Sequence, residues 1–127
     1  MGAVRRNGKW VEYRQNVEFM RGVKFSPSEI SVFTADGQVT EDMVYVELDG
    51  TSTGVDVTID APTRGRLLVI TCTDASNNCT VTCTAGDFDG ASGNIATFDA
   101  AEETIVVLGI SATRFVVLEN IGTVVFT

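Results

Sequence analysis

Residues 55–60 set Val55, Val57 and Ile59 against Asp56, Thr58 and Asp60 in strict alternation. Successive side chains of an extended chain point to opposite faces, so this period of two describes a strand with one face on a core and the other in water. The same beat recurs through most of the chain. Val44, Val46 and Leu48 alternate with Tyr45 and Glu47, and Val17, Phe19, Val23 and Phe25 share a face opposite Glu18 and Lys24. Residues 66–73 (RLLVITCT) are apolar on both faces at their centre, which predicts an interior strand covered on both sides. The turn residues at 74–78 (DASNN) and the returning run at 79–85 (CTVTCTA) predict a hairpin there. Shorter strands are expected at 95–98, 104–108, 114–118 and 123–127, with a turn near Ser111 and a glycine-rich loop at 86–93.

Nine or ten short strands with turn signals every 8 to 12 residues predict an all-β chain, a single antiparallel β-sandwich or barrel-like domain. Helical periodicity is weak throughout, and only residues 9–16 could hold a turn or two of helix. No internal repeat of 20 to 50 residues is evident. A length of 127 residues leaves room for one domain with a real core, and 44% hydrophobic residues with a mean hydropathy of +0.17 exclude a disordered chain.

Charge divides the chain in two. Residues 1–24 hold six bases, Arg5, Arg6, Lys9, Arg14, Arg21 and Lys24, against Glu12 and Glu18, a balance of +4. Residues 25–127 hold Arg64, Arg66 and Arg114 against fifteen acids, a balance of −12. We therefore read 1–24 as a basic N-terminal arm and 25–127 as the β domain. An acidic body repels nucleic acid and anionic membrane, so neither is an expected partner. The arm can dock on an acidic surface, including another copy's, or stand as a solvated terminus. Its Trp10 and Tyr13, set among bases, suit an interface anchor, although Trp10 could equally fold back on the chain's own core. The basic start lacks an apolar stretch behind it, so no secretory signal is expected and the chain is expected to be made in a cytoplasm.

With no His and three Cys, most base, nucleophile and metal constellations cannot be assembled. Cys79, Val81 and Cys83 fall on one face of a strand, as small buried hydrophobes would, and a disulfide from Cys72 to Cys79 or Cys83 is the alternative. A cysteine-only zinc site lacks its fourth ligand. Asp87, Asp89, Asn94 and Asp99 surround Gly90 but miss the spacing of a calcium loop. The adjacent acids Glu41–Asp42 and Glu102–Glu103 point to opposite faces of any strand, make no acid/base dyad and are expected in water. No cofactor, metal or enzymatic activity is expected.

The second half has a recognisable cadence: 55–62 (VDVTIDAP), 65–74 (GRLLVITCTD), 79–86 (CTVTCTAG), 88–90 (FDG), 97–100 (TFDA), 104–108 (TIVVL), 114–118 (RFVVL) and 122–125 (GTVV). From about Val44 to Thr127 it resembles the small β-rich virion proteins of tailed bacteriophages, most closely the capsid decoration or cement proteins. Phe115 stands where such domains often carry a Trp. The resemblance implies a homotrimer on the outer capsid surface, assembled in the host cytoplasm, with the major capsid protein and its own copies as partners. It implies N-terminal segments that tie the subunits to the major capsid protein or to neighbouring copies, and by composition the candidates for that contact in the arm are Arg5, Arg6, Lys9, Trp10, Tyr13, Arg14, Arg21 and Lys24. The alternative is a tail or fibre component with a receptor- or glycan-binding β domain, which exposed aromatic side chains in loops would favour.

Overall fold

Alternation makes strands but leaves their partners open. A computed structural model, describing residues 25–88 and 93–127, supplies those partners. After a 3-10 turn at Pro27–Glu29 come β1 (Ile30–Phe33), β2 (Gly37–Val39), β3 (Tyr45–Asp49), β4 (Val55–Ile59), β5 (Leu67–Asp74) and β6 (Cys79–Cys83). They are followed by β7 (Asp87–Phe88), β8 (Ile95–Phe98), β9 (Thr104–Gly109), β10 (Arg114–Ile121) and β11 (Val125–Phe126). The chain is all-β, as its periodicity requires. The strands form two mixed sheets, ordered β1-β3-β5-β9-β10-β7 and β11-β8-β6-β4-β2, arranged as a solenoid-like stack.

The first six strands alternate between the sheets, so each coil of chain donates one strand to each. β1, β3 and β5 lie parallel in the first sheet, and β2, β4 and β6 lie parallel in the second. Parallel neighbours need a crossover connection; here the strand in the opposite sheet serves as the crossover. The stack then reverses: β8 runs antiparallel to β6, β9 to β5, β10 to β9 and β11 to β8. The sheets are thus mixed, and the expectation of an antiparallel domain is corrected.

The expected hairpin between 66–73 and 79–85 is also corrected. β5 and β6 are in different sheets, and residues 75–78 form a corner between them. Both strands have alternate apolar residues facing one core, and that pattern is the same whether the chain folds back beside itself or turns across the core. A non-local contact selects the corner: Asn77 donates from its backbone N and from Nδ2 to the carbonyl of Gly50, at 3.1 and 2.8 Å, stacking this corner on the preceding one. Each corner opens on an Asp turned onto its own backbone. Asp49 Oδ1 accepts from Thr51 N, and Asp74 Oδ1 accepts from Ser76 N.

In register, Val46 faces Ile70, Leu48 faces Cys72, Val55 faces Cys79, Val57 faces Val81 and Ile59 faces Cys83, an offset of 24 residues between the second and third coils. The repeat escapes the sequence because cysteines replace aliphatic residues at three of these five positions. Between the sheets the core holds Leu48, Ile59, Leu68, Ile70 and Ile105, all fully buried. Each such side chain stabilises the fold by roughly 1.5–3 kcal/mol. Phe88 closes it, with its ring centroid 6.0 Å from that of Phe115 and 5.4 Å from that of Phe126.

Candidate functional site

The residues assigned to partner binding, Arg5, Arg6, Lys9, Trp10, Tyr13, Arg14, Arg21 and Lys24, lie outside the described residues, as do Asp89 and Gly90. The other residues singled out in the sequence can be placed.

Cys72, Cys79 and Cys83 are free thiols with fully buried side chains. Their sulfurs lie within hydrogen-bonding reach of corner carbonyls: Cys72 Sγ is 3.3 Å from the Asp74 carbonyl, Cys79 Sγ 3.6 Å from that of Asn77, and Cys83 Sγ 3.8 Å from that of Asp60. Burial, reinforced by the neighbouring Cys79, pushes the Cys72 thiol up to about 12. Burial likewise raises Cys83. Thiols buried in apolar surroundings are inert, so these side chains act as core residues.

Glu103 departs from its expected place in water. It is 2% exposed, whereas Glu102 beside it is exposed and holds a left-handed φ of 70°. The Glu103 carboxylate bridges two corners. Oε2 accepts from Asp99 N at 2.8 Å and Ala100 N at 3.2 Å, and Oε1 accepts from Thr123 N at 2.8 Å and Thr123 Oγ1 at 2.9 Å. Burial works to raise this carboxyl, but the donors from Thr123, Asp99 and Ala100 outweigh it and hold the group below its ordinary value. Gly122, at φ 88°, lets the chain pass so close that an added Cβ would sit 2.7 Å from Glu103 Cγ. Glu103 is therefore a structural tie.

Of the candidate oxygen ligands around the glycine-rich loop, Asp87 and Asn94 are engaged separately. Asp87 pairs with Arg114, with Nε 3.0 Å from Oδ1, and the Asn94 amide donates to the Cys83 carbonyl at 2.9 Å. Among the described residues no three metal-ligating side chains gather. A cleft of about 350 Å³ lies beside the 3-10 turn, lined by Phe25, Glu29, Ser31, Asp42 and Met43 among others. The Thr40 hydroxyl, foremost, holds Asp42 below its ordinary value.

The outward faces of the two sheets differ in kind. On the five-stranded sheet they are Gln38, Asp56, Thr58, Thr80, Thr82 and Thr97, with Ile95 and Val125 the apolar members at the β8–β11 end, and Thr80 Oγ1 donates to Asp56 at 2.6 Å. On the six-stranded sheet two cross-strand rows run Ile30–Tyr45–Val69–Val106 and Leu67–Leu108–Val116. Val32, Leu118 and Ile121 extend this apolar surface and are each more than half exposed. A bulge between Val117 and Glu119 marks where Leu118 leaves the ladder. β5 is interior to its sheet, as expected, but only one of its faces is covered by described residues. Its Leu68, Ile70 and Cys72 are buried, while Leu67 is 46% exposed and Val69 half-buried. The apolar character of both faces of β5, which predicts a strand covered on both sides, is the sequence signal for this surface. No protein-family model matches the chain, and no curated protein matches it either.

Proposed function

We propose that this protein is a non-enzymatic virion structural protein, a capsid decoration or cement protein that binds the outer shell as an oligomer and stabilises it. The observation that carries this reading is the division of charge, +4 over residues 1–24 and −12 over residues 25–127. A basic segment joined to an acidic body can tie one copy to an acidic lattice while the bodies stay soluble and apart. On this reading the two stacked sheets form a sandwich-like body, and several arms on one oligomer raise the effective concentration of weak contacts. Preferential binding to the mature lattice then stabilises it by linkage.

The test is co-sedimentation with purified shells and the melting temperature of those shells. The full chain should bind and raise the melting temperature, and a chain lacking residues 1–24 should stay folded and not bind. Equal binding by both would overturn the role of the arm, and no binding by the full chain would overturn the decoration reading. The tail or glycan-binding alternative gains nothing from the described residues, where every aromatic ring is buried or half-buried.

A further inference from the structure

β5 lies between a parallel neighbour, β3, and an antiparallel one, β9, and a strand apolar on both faces is expected to be covered on both. β5 has the composition for such cover, yet described residues bury only its inner side. We infer that the outward face of the six-stranded sheet is an interface on which a second copy of this chain packs, sheet against sheet. This inference stands independently of shell binding.

Size is the first support. The six strands are four, five, eight, six, eight and two residues long in sheet order, which at about 3.3 Å per residue and about 4.8 Å between strands presents roughly 500 Å². A pair would then remove about 1,000 Å² from water, the area at which specific interfaces begin. The distribution of polarity is the second. Outward residues of β5 and β9, at the centre, are uncharged, and the acids Glu47 on β3 and Glu119 on β10 flank them. That is an apolar centre with a polar rim.

The polar groups at the centre are already paired with one another. Thr71 Oγ1 lies 2.9 Å from Thr104 Oγ1, and the Tyr45 hydroxyl donates to Glu47 at 2.8 Å, so covering them strands no donor. Shape then selects the occupant. Val, Leu, Ile and Thr side chains on a pleated surface fit a second sheet about 10 Å away. This chain carries a matching sheet face, and two copies meeting through the same face form a self-complementary contact.

Salt separates this contact from docking by the arm. Two chains of net charge −8 repel each other, and ions screen that repulsion, so apolar packing between them strengthens with salt. A basic arm on an acidic body weakens instead.

The experiment is light scattering on the full chain at about 0.05 and 0.5 M salt, with circular dichroism to confirm the β fold. The expected mass is two or more times 13.6 kDa, with the oligomer favoured at high salt. Leu67→Glu with Leu118→Glu, at positions already exposed, should give single chains. The milder Val69→Thr with Val106→Thr should weaken association about tenfold while keeping shape. Thr58→Glu on the opposite sheet should leave the mass unchanged. A wild-type chain that stays single, or an oligomer that survives Leu67→Glu with Leu118→Glu, overturns the inference. So does an oligomer that dissolves with salt.

Discussion

At Glu103 a single carboxylate satisfies donors from two separate corners, one oxygen for each. An amide cannot do this, because one end of it would point N–H groups at N–H groups. Glu103→Gln is therefore expected to lose about 2–3 kcal/mol, in the range of charge-assisted hydrogen bonds, and Glu103→Ala about 3–4 kcal/mol, both read by urea unfolding. The pH dependence has a definite sign. The folded carboxyl lies below its ordinary value, so its contribution is complete above the unfolded pKa of about 4.3 and drains as pH falls through the folded value. The stability gap between wild type and Glu103→Gln should narrow between about pH 6 and pH 3. A constant gap would show that the proton does not matter to the tie. Nothing in the pair Glu102–Glu103 announced this role, because the donors come from residues 99, 100 and 123, which only the fold brings together.

At the scale of strands and corners, alternation was a reliable guide to which side chains face inward. Val46, Leu48, Val55, Val57, Ile59, Cys79, Val81 and Cys83 all point to the core as their period requires, whereas Val44, in step with Val46 and Leu48, precedes β3 and is 38% exposed. Partnering was not legible, since period two is blind to whether the next strand lies beside or across. β1 (ISVF) was missed because its apolar residues 30, 32 and 33 break a period of two, β2 (GQV) because it carries a single apolar side chain, and β7 (Asp87–Phe88) because it lies in the stretch read as a glycine-rich loop. The corners hold the information instead. An added Cβ on Gly50 would sit 2.2 Å from the Asn77 carbonyl oxygen, so Gly50→Ala must push two stacked corners apart and is expected to lose about 2–3 kcal/mol. Asn77→Ala removes only the side-chain half of its bond to Gly50, and should lose about 1 kcal/mol. Urea midpoints check both, and a larger loss for Asn77→Ala would reverse the order of importance argued for this corner.

On the scale of the whole molecule, all three cysteines belong to the third coil, which is third of six strands in one sheet and third of five in the other. Their thiols are reached only when the middle of the stack opens. Labelling of the native protein with an excess of a thiol reagent should be a single slow phase whose urea dependence matches that of global unfolding. A fast phase from one thiol would reveal an independent opening at its corner. Among the described residues the stack also has ends, and they are short: β1 has four residues, β2 three, and β7 and β11 two each. Exposed strand edges are templates on which chains polymerise, and edges this brief offer few backbone groups to copy. Crowded copies of this protein are thereby steered away from open-ended fibres and toward assemblies of finite size.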